Sequence, residues 1–233
     1  MSSINPTQGG KLGAQSDGPV LPHDTIEKGH HWRAKDDEFD AGKLGMWLFL
    51  GTEVLLFAGL FCGYAIMRML YPEAFANGSH YLNWRWGGLN TLVLLWSSYT
   101  IASAIRHTQL GNRGWATINL VITWFCALFF ILIKFIFEYA PKWAEGKRPG
   151  VLFDYAYAQH PMEPMWWSLY YAATGIHASH VIIGMGLIGW LIYKNMRGWY
   201  GPKNYLAMEN VGLYWHIVDL IWIFLFPLLY LIH

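Results

Sequence analysis

Charge is what this chain has least of. Asp, Glu, Lys and Arg make up 13% of its 233 residues, against roughly 25% in a soluble domain. Seven of the 15 acidic and five of the 16 basic residues also fall within the first 43 positions, so the remainder is poorer still. That distribution excludes a disordered, collagen-like or nucleic-acid-binding chain, and a net charge of +1 supplies no basic field for a polyanion. Cysteine is almost missing too. Cys62 and Cys126 each lie inside an apolar run, which suggests buried, inert thiols and neither a disulfide framework nor a zinc site. The N-terminus has no apolar core of the kind a cleavable signal needs. Residues 1–42, rich in Gly, Pro, Ser and Asp, read as a flexible cytoplasmic tail. Gly-x-Ser-x-Gly, a phosphate loop, Cys-x-x-Cys and His-Glu-x-x-His are all absent, as are internal repeats and coiled-coil heptads.

Apolar and aromatic residues are abundant, at 55% and 18%. A bilayer core about 30 Å thick takes roughly 20 apolar helical residues to cross. Reading from one charge to the next gives five such runs, at about 44–67, 86–105, 114–137, 165–193 and 210–232. The fold class is therefore all-α, a polytopic membrane protein with five transmembrane helices over residues 43–233. Tyr81, Trp84, Trp86, Trp166, Trp167, Trp199, Tyr200 and Tyr205 gather near the ends of the runs, as interfacial belts do. Ten Lys and Arg lie on the side of the N-terminus and six on the other, so the N-terminus is expected in the cytoplasm (or matrix) and the C-terminus outside. The 134–164 connection, rich in proline and aromatic residues, reads as an ordered external cap.

Polar groups inside the runs carry the chemistry, because a charge at mid-span costs about 2.5–3.5 kcal/mol on insertion scales. Glu53 sits ten residues into the first run, either as a proton-handling carboxylate or as a carboxyl held neutral or hydrogen-bonded for packing. His177, His180 and Gly184 share one stripe of the fourth run. A metal would want ligands from other helices as well, and histidines at i and i+3 cannot take opposite axial positions on a haem. The other reading is histidines hydrogen-bonded across a packed interface, with Gly175, Ser179, Gly184, Gly186 and Gly189 marking the close approach. His216 and Asp219 stand one turn apart in the fifth run, able to pair with each other or to reach the fourth-run histidines. Lys134 and Glu138 form an i, i+4 pair at the outer end of the third.

These motifs resemble those of subunit III of haem–copper terminal oxidases. Trp47 through Glu53, followed by Phe57, is similar to the helix carrying that subunit's membrane-embedded glutamate. Glu138-Tyr139, the Gly175–Gly184 segment with His177 and His180, and Glu209 through Trp215, His216, Asp219 and Trp222 are similar to three further signatures, in the same order. The resemblance covers about residues 43–233. It implies a non-redox subunit with no metal site and no cofactor of its own, haem and copper being carried by subunits I and II. It further implies bound phospholipid in a cleft, a stabilising and proton-uptake role within a proton-pumping oxidase, and Glu53 near subunit I. Trp47, Phe57, Gly184, Trp215 and Trp222 would serve lipid or interface packing.

The familiar seven-helix form has two more N-terminal helices, which make one wall of that cleft. Five helices resemble the subunit III of bacterial quinol oxidases and of some bacterial cytochrome c oxidases, which implies the bacterial cytoplasmic membrane. A complete cleft would then need another chain to supply the wall, and the long 140–164 connection offers a contact for a further membrane or external subunit. Two alternatives stand beside this one: the related accessory subunit of nitric oxide reductase, and an independent proton channel or transporter using Glu53, His177, His180, His216 and Asp219. A di-histidine haem protein would want paired histidines on separate helices, which do not occur at suitable spacing.

Overall fold

In a computed structural model of the chain, residues 35–232 are described, and residues 1–34 of the expected tail and His233 lie outside them. Helices α1 (Lys35–Leu70), α3 (Trp84–Gln109), α6 (Glu163–Met196) and α7 (Leu206–Tyr230) form four of the five spans. The remaining span is composite: α4 (Arg113–Ile133), a π-helical turn (Lys134–Tyr139) and α5 (Ala140–Ala144) run on without a break. A short helix α2 (Pro72–His80) lies in the first connection, started by its own proline at the first turn. Among the described residues there is no strand, only one isolated bridge between Gly201 and Asn204. The chain is all-α with five helices long and apolar enough to cross a membrane.

The first span begins well before the apolar run does. Residues 35–42, read from sequence as tail, are the opening turns of α1. Tertiary contacts hold these turns and the residue that follows them: the Phe39 ring meets Tyr205 edge-on at 5.5 Å, and Lys43 Nζ lies 2.8 Å from Glu209 Oε2. The third span overshoots its expected end in the same way, because a π turn absorbs Lys134 and Glu138 into the helix and buries both.

α7 is the central helix, packed against α3, α6 and α1. Half of its apolar window is buried, against 11% for that of α1. α1 thus lies on the bundle's surface with Leu48, Leu55, Ile66 and Met69 exposed, and Cys62 is exposed with them rather than buried. The two aromatic residues opening α6 are also not interfacial. Trp166 and Trp167 are fully buried, and the Trp166 ring sits on Gly78 of α2, where an added Cβ would come within 2.3 Å of it. Of the α6 glycines, Gly184 alone makes a close helix approach, with an ideal Cβ only 2.7 Å from the Trp215 ring of α7. Gly175 and Gly186 face open space.

The 145–162 connection folds over the end of α2 and the start of α6. Gly146 takes φ +85° and returns the chain so that its carbonyl accepts from Asp154 N–H, a turn with no room for a side chain. Lys147 lies over the Tyr81 and Tyr155 rings at 4.1 and 4.4 Å. Burial, followed by the charge of Glu163 and then by Tyr155, pushes the Tyr81 hydroxyl above its ordinary pKa. Glu163 Oε1 accepts from the Gln159 and His160 N–H groups at 2.8 and 3.2 Å, tying the loop to the start of α6.

Candidate functional site

Glu53 of α1 and His180 of α6 meet across the bundle, with Oε2 and Nε2 2.8 Å apart and both side chains about 15% exposed (15% and 14%). Sequence alone did not join them, since 126 residues intervene and either could have faced lipid. The other imidazole nitrogen fixes the chemistry of the pair. His180 Nδ1 is 2.8 Å from the Ile176 carbonyl, an acceptor only, so Nδ1 carries a proton. Nε2 then either accepts from a carboxylic acid at Glu53 or donates to its carboxylate, across the same 2.8 Å hydrogen bond. The Phe57 ring, 1% exposed, meets His180 edge-on at 5.3 Å, and Tyr214 Oη donates to the His180 carbonyl. A groove of about 360 Å³ between α1, α6 and α7 opens beside the pair, lined by Met46, Phe49 and Tyr214 among others.

A second polar cluster sits at the π turn. Lys134 Nζ donates to Glu138 Oε2 at 2.7 Å and to Tyr230 Oη at 2.5 Å. The same carboxylate oxygen accepts from Tyr170 Oη at 2.8 Å and from Tyr230. The Trp222, Tyr230 and Tyr170 rings stand 4.5, 5.0 and 5.5 Å from the ammonium, so cation–π contacts replace part of its lost hydration. The i, i+4 pair was legible in the sequence. Its aromatic partners were not, because Tyr170 and Tyr230 lie 32 and 92 residues from Glu138.

The remaining candidates separate. His177 is 1% exposed, stacked on Trp222 at 5.3 Å and edge-on to Phe130 at 5.7 Å, with neither ring nitrogen hydrogen-bonded. It shares a stripe with His180 but belongs to the apolar core. His216 and Asp219 do not pair: His216 Nδ1 lies 2.7 Å from Ser98 Oγ of α3, and the Asp219 oxygens are buried with no hydrogen-bond partner. Glu209 accepts from Lys43 and from Gln109 Nε2 at 3.2 Å. Trp215 Nε1 donates to Ser97 Oγ and Trp222 Nε1 to Thr91 Oγ1, each at 3.0 Å, so these two indoles tie α7 to α3. Trp47 is 61% exposed on α1. Among the described residues no group of three His, Cys, Asp or Glu side chains is arranged to hold a metal ion, and the histidines expected in the motifs are committed to Glu53, Ser98 and aromatic rings.

Comparison with known proteins places the chain in a family. The chain is 28% identical to a cytochrome c oxidase subunit 3 of Synechocystis over 98% of its own length and 89% of that protein's. It is 28% identical to a probable quinol oxidase subunit 3 of Staphylococcus haemolyticus, covering 85% of this chain and 92% of that one. A haem-copper oxidase subunit I+III of Aeropyrum pernix is 29% identical over 87% of this chain, which spans only 24% of that longer protein. Residues 22–233 match the family described as cytochrome c oxidase subunit III. With five apolar spans and a match over nearly its whole length, the chain is a multi-pass membrane protein of the cytochrome c oxidase subunit III family.

Proposed function

We propose that this chain is the non-redox subunit III of a proton-pumping terminal oxidase in a bacterial cytoplasmic membrane, with its N-terminus cytoplasmic and its C-terminus outside. Haem and copper belong to subunits I and II, and the chain contributes no catalytic residue or metal ligand. It steadies subunit I, binds phospholipid and supports proton uptake. The fused subunit I+III of Aeropyrum pernix supports a direct partnership with subunit I, since fusion requires the two parts to work side by side. The 140–164 connection is a further contact for another subunit.

The observation that carries the proton-linked part is the Glu53–His180 pair. A carboxyl and an imidazole stand 2.8 Å apart inside the span, at the wall of a groove of about 360 Å³. Glu53→Gln keeps the shape and a hydrogen bond but holds no exchangeable acid. In the affinity-purified complex it is expected to copurify with haem as the unaltered chain does, while activity decays sooner during sustained turnover. An unchanged decay profile would reduce Glu53 to packing. Loss of haem from the unaltered preparation would remove the partnership itself.

A further inference from the structure

A second groove follows α7, between α1 and α3, with a volume of about 340 Å³. Its walls include Lys43, Trp47, Ile105, Glu209, Leu213 and His216. Glu209, Leu213 and His216 share one stripe of α7, so the groove tracks that helix for two turns, about 10 Å. At its mouth the Lys43 ammonium and Glu209 carboxylate are 2.8 Å apart and partly exposed. At its inner end His216 Nδ1 and Ser98 Oγ are 2.7 Å apart. One turn deeper lies Asp219, 2% exposed, with both carboxyl oxygens buried and in no well-formed hydrogen bond, the Ser98 hydroxyl being the side chain that approaches them. The Ser98 hydroxyl, 2.7 Å from His216 Nδ1, also approaches Asp219 and so connects the groove's lining to the acid behind it.

A carboxyl unsatisfied at this depth is costly, and intramembrane ionisable groups meet that cost by facing a water-filled cavity or a partner. Water is admitted where a site is polar and roomy, with two or more groups to bond. Both conditions are met along this stripe. We propose that the groove is a hydrated inlet: water enters between Lys43 and Glu209, reaches His216 and Ser98, and completes the hydrogen bonds of the Asp219 carboxyl. The ligand is water, and the file of Glu209, His216, Ser98 and Asp219 can pass a proton along it. This does not rest on the role proposed for Glu53 and His180, which line the other groove.

Cysteine reactivity in the whole oxidase complex tests it, with Cys62 replaced by serine and Cys126, a neighbour of Asp219, by alanine so that no new hydroxyl meets the acid. Leu213→Cys reports the groove and Ser98→Cys its inner end, while Leu220→Cys, 51% exposed on the outer face of α7, is the lipid-facing control. The reagent is a charged, water-soluble methanethiosulfonate, which attacks thiolate only. Each unit by which lipid raises a thiol pKa lowers the thiolate about tenfold. Subunit III should gain one label at position 213, and one at position 98, at least about tenfold faster than at position 220. Equal rates at 213 and 220 would mean that an acyl chain fills the groove and would overturn the proposal. Labelling at 213 without labelling at 98 would overturn its inner half. Hydroxyl-radical footprinting of the unaltered complex gives a variant-free reading: oxidation of His216 must exceed that of the lipid-facing Phe224, and the reverse order rejects the inlet.

Discussion

Lys134 and Glu138 are held 2.7 Å apart with side chains 3% and 1% exposed, and at that depth the pair is a commitment rather than a surface ornament. Desolvating two charges is expensive, and attraction offsets the expense only while both partners and their tyrosine hydrogen bonds remain. Glu138→Ala leaves a buried ammonium with aromatic neighbours alone. It should cost about 3–5 kcal/mol, read as a lowered thermal midpoint and reduced recovery of the subunit. Lys134→Met with Glu138→Leu removes both charges together and should lose less than the single change does, which a double-mutant comparison of the same midpoints would check. His216 is a different case. Its one polar contact is a half-buried bond to Ser98, and Asp219 does not depend on it directly. His216→Ala is therefore expected to assemble normally and to cost about 1 kcal/mol, read as a small drop in the thermal midpoint at unchanged recovery of the complex.

Helix packing turns on where small residues stand relative to indoles. Gly184 of α6 lies beneath the Trp215 ring of α7, which in turn is fixed to Ser97 of α3. A methyl group there would overlap the ring at 2.7 Å, and the ring cannot withdraw without breaking its hydrogen bond. Gly184→Ala should thus destabilise by about 1–3 kcal/mol through overpacking. Gly175→Ala on the same helix meets nothing within 4 Å and should instead stabilise slightly, by about 0.5–1 kcal/mol of helix propensity. Paired thermal melts of the two variants in detergent would test the contrast, and like effects would contradict this account of the α6–α7 contact. The π turn at Lys134–Tyr139 is the other local decision. It widens the helix so that Lys134 and Glu138 both turn inward, where Tyr230 of α7 and Tyr170 of α6 reach them.

Across the whole molecule burial is uneven. α7 is wrapped by three spans, whereas α1 rests on the bundle through a few contacts, including the Glu53–His180 bond and the Lys43–Glu209 ion pair. Outside its complex, α1 should therefore open first. Amide hydrogen exchange of the isolated chain in detergent is expected to be fastest along α1 and slowest along α7. Protection of α1 should rise when the complex is intact, and uniform exchange across the spans would argue against a loosely held α1.

The number of spans, their approximate limits and the family motifs were all legible in the sequence. They depend on local quantities: runs of apolar residues long enough for a bilayer, bounded by charges, and short patterns that stay contiguous along the chain. The same locality explains where reading from sequence stopped. Residues 35–42 look like tail until Tyr205 and Leu206 meet Phe39 and Gly42, and Trp166 looks interfacial until α2 covers it. The stripe of His177 and His180 is real, yet one ring went to Trp222 in the core and the other to Glu53 on a different helix. Pairings between residues far apart in the chain depend on how the helices cross and rotate against each other, which no window of sequence encodes. The chain's pattern determined a five-span membrane protein; only the packing of its helices decided which of the few remaining charged groups meet across the bundle, which are locked among aromatic rings, and which are buried without a close partner.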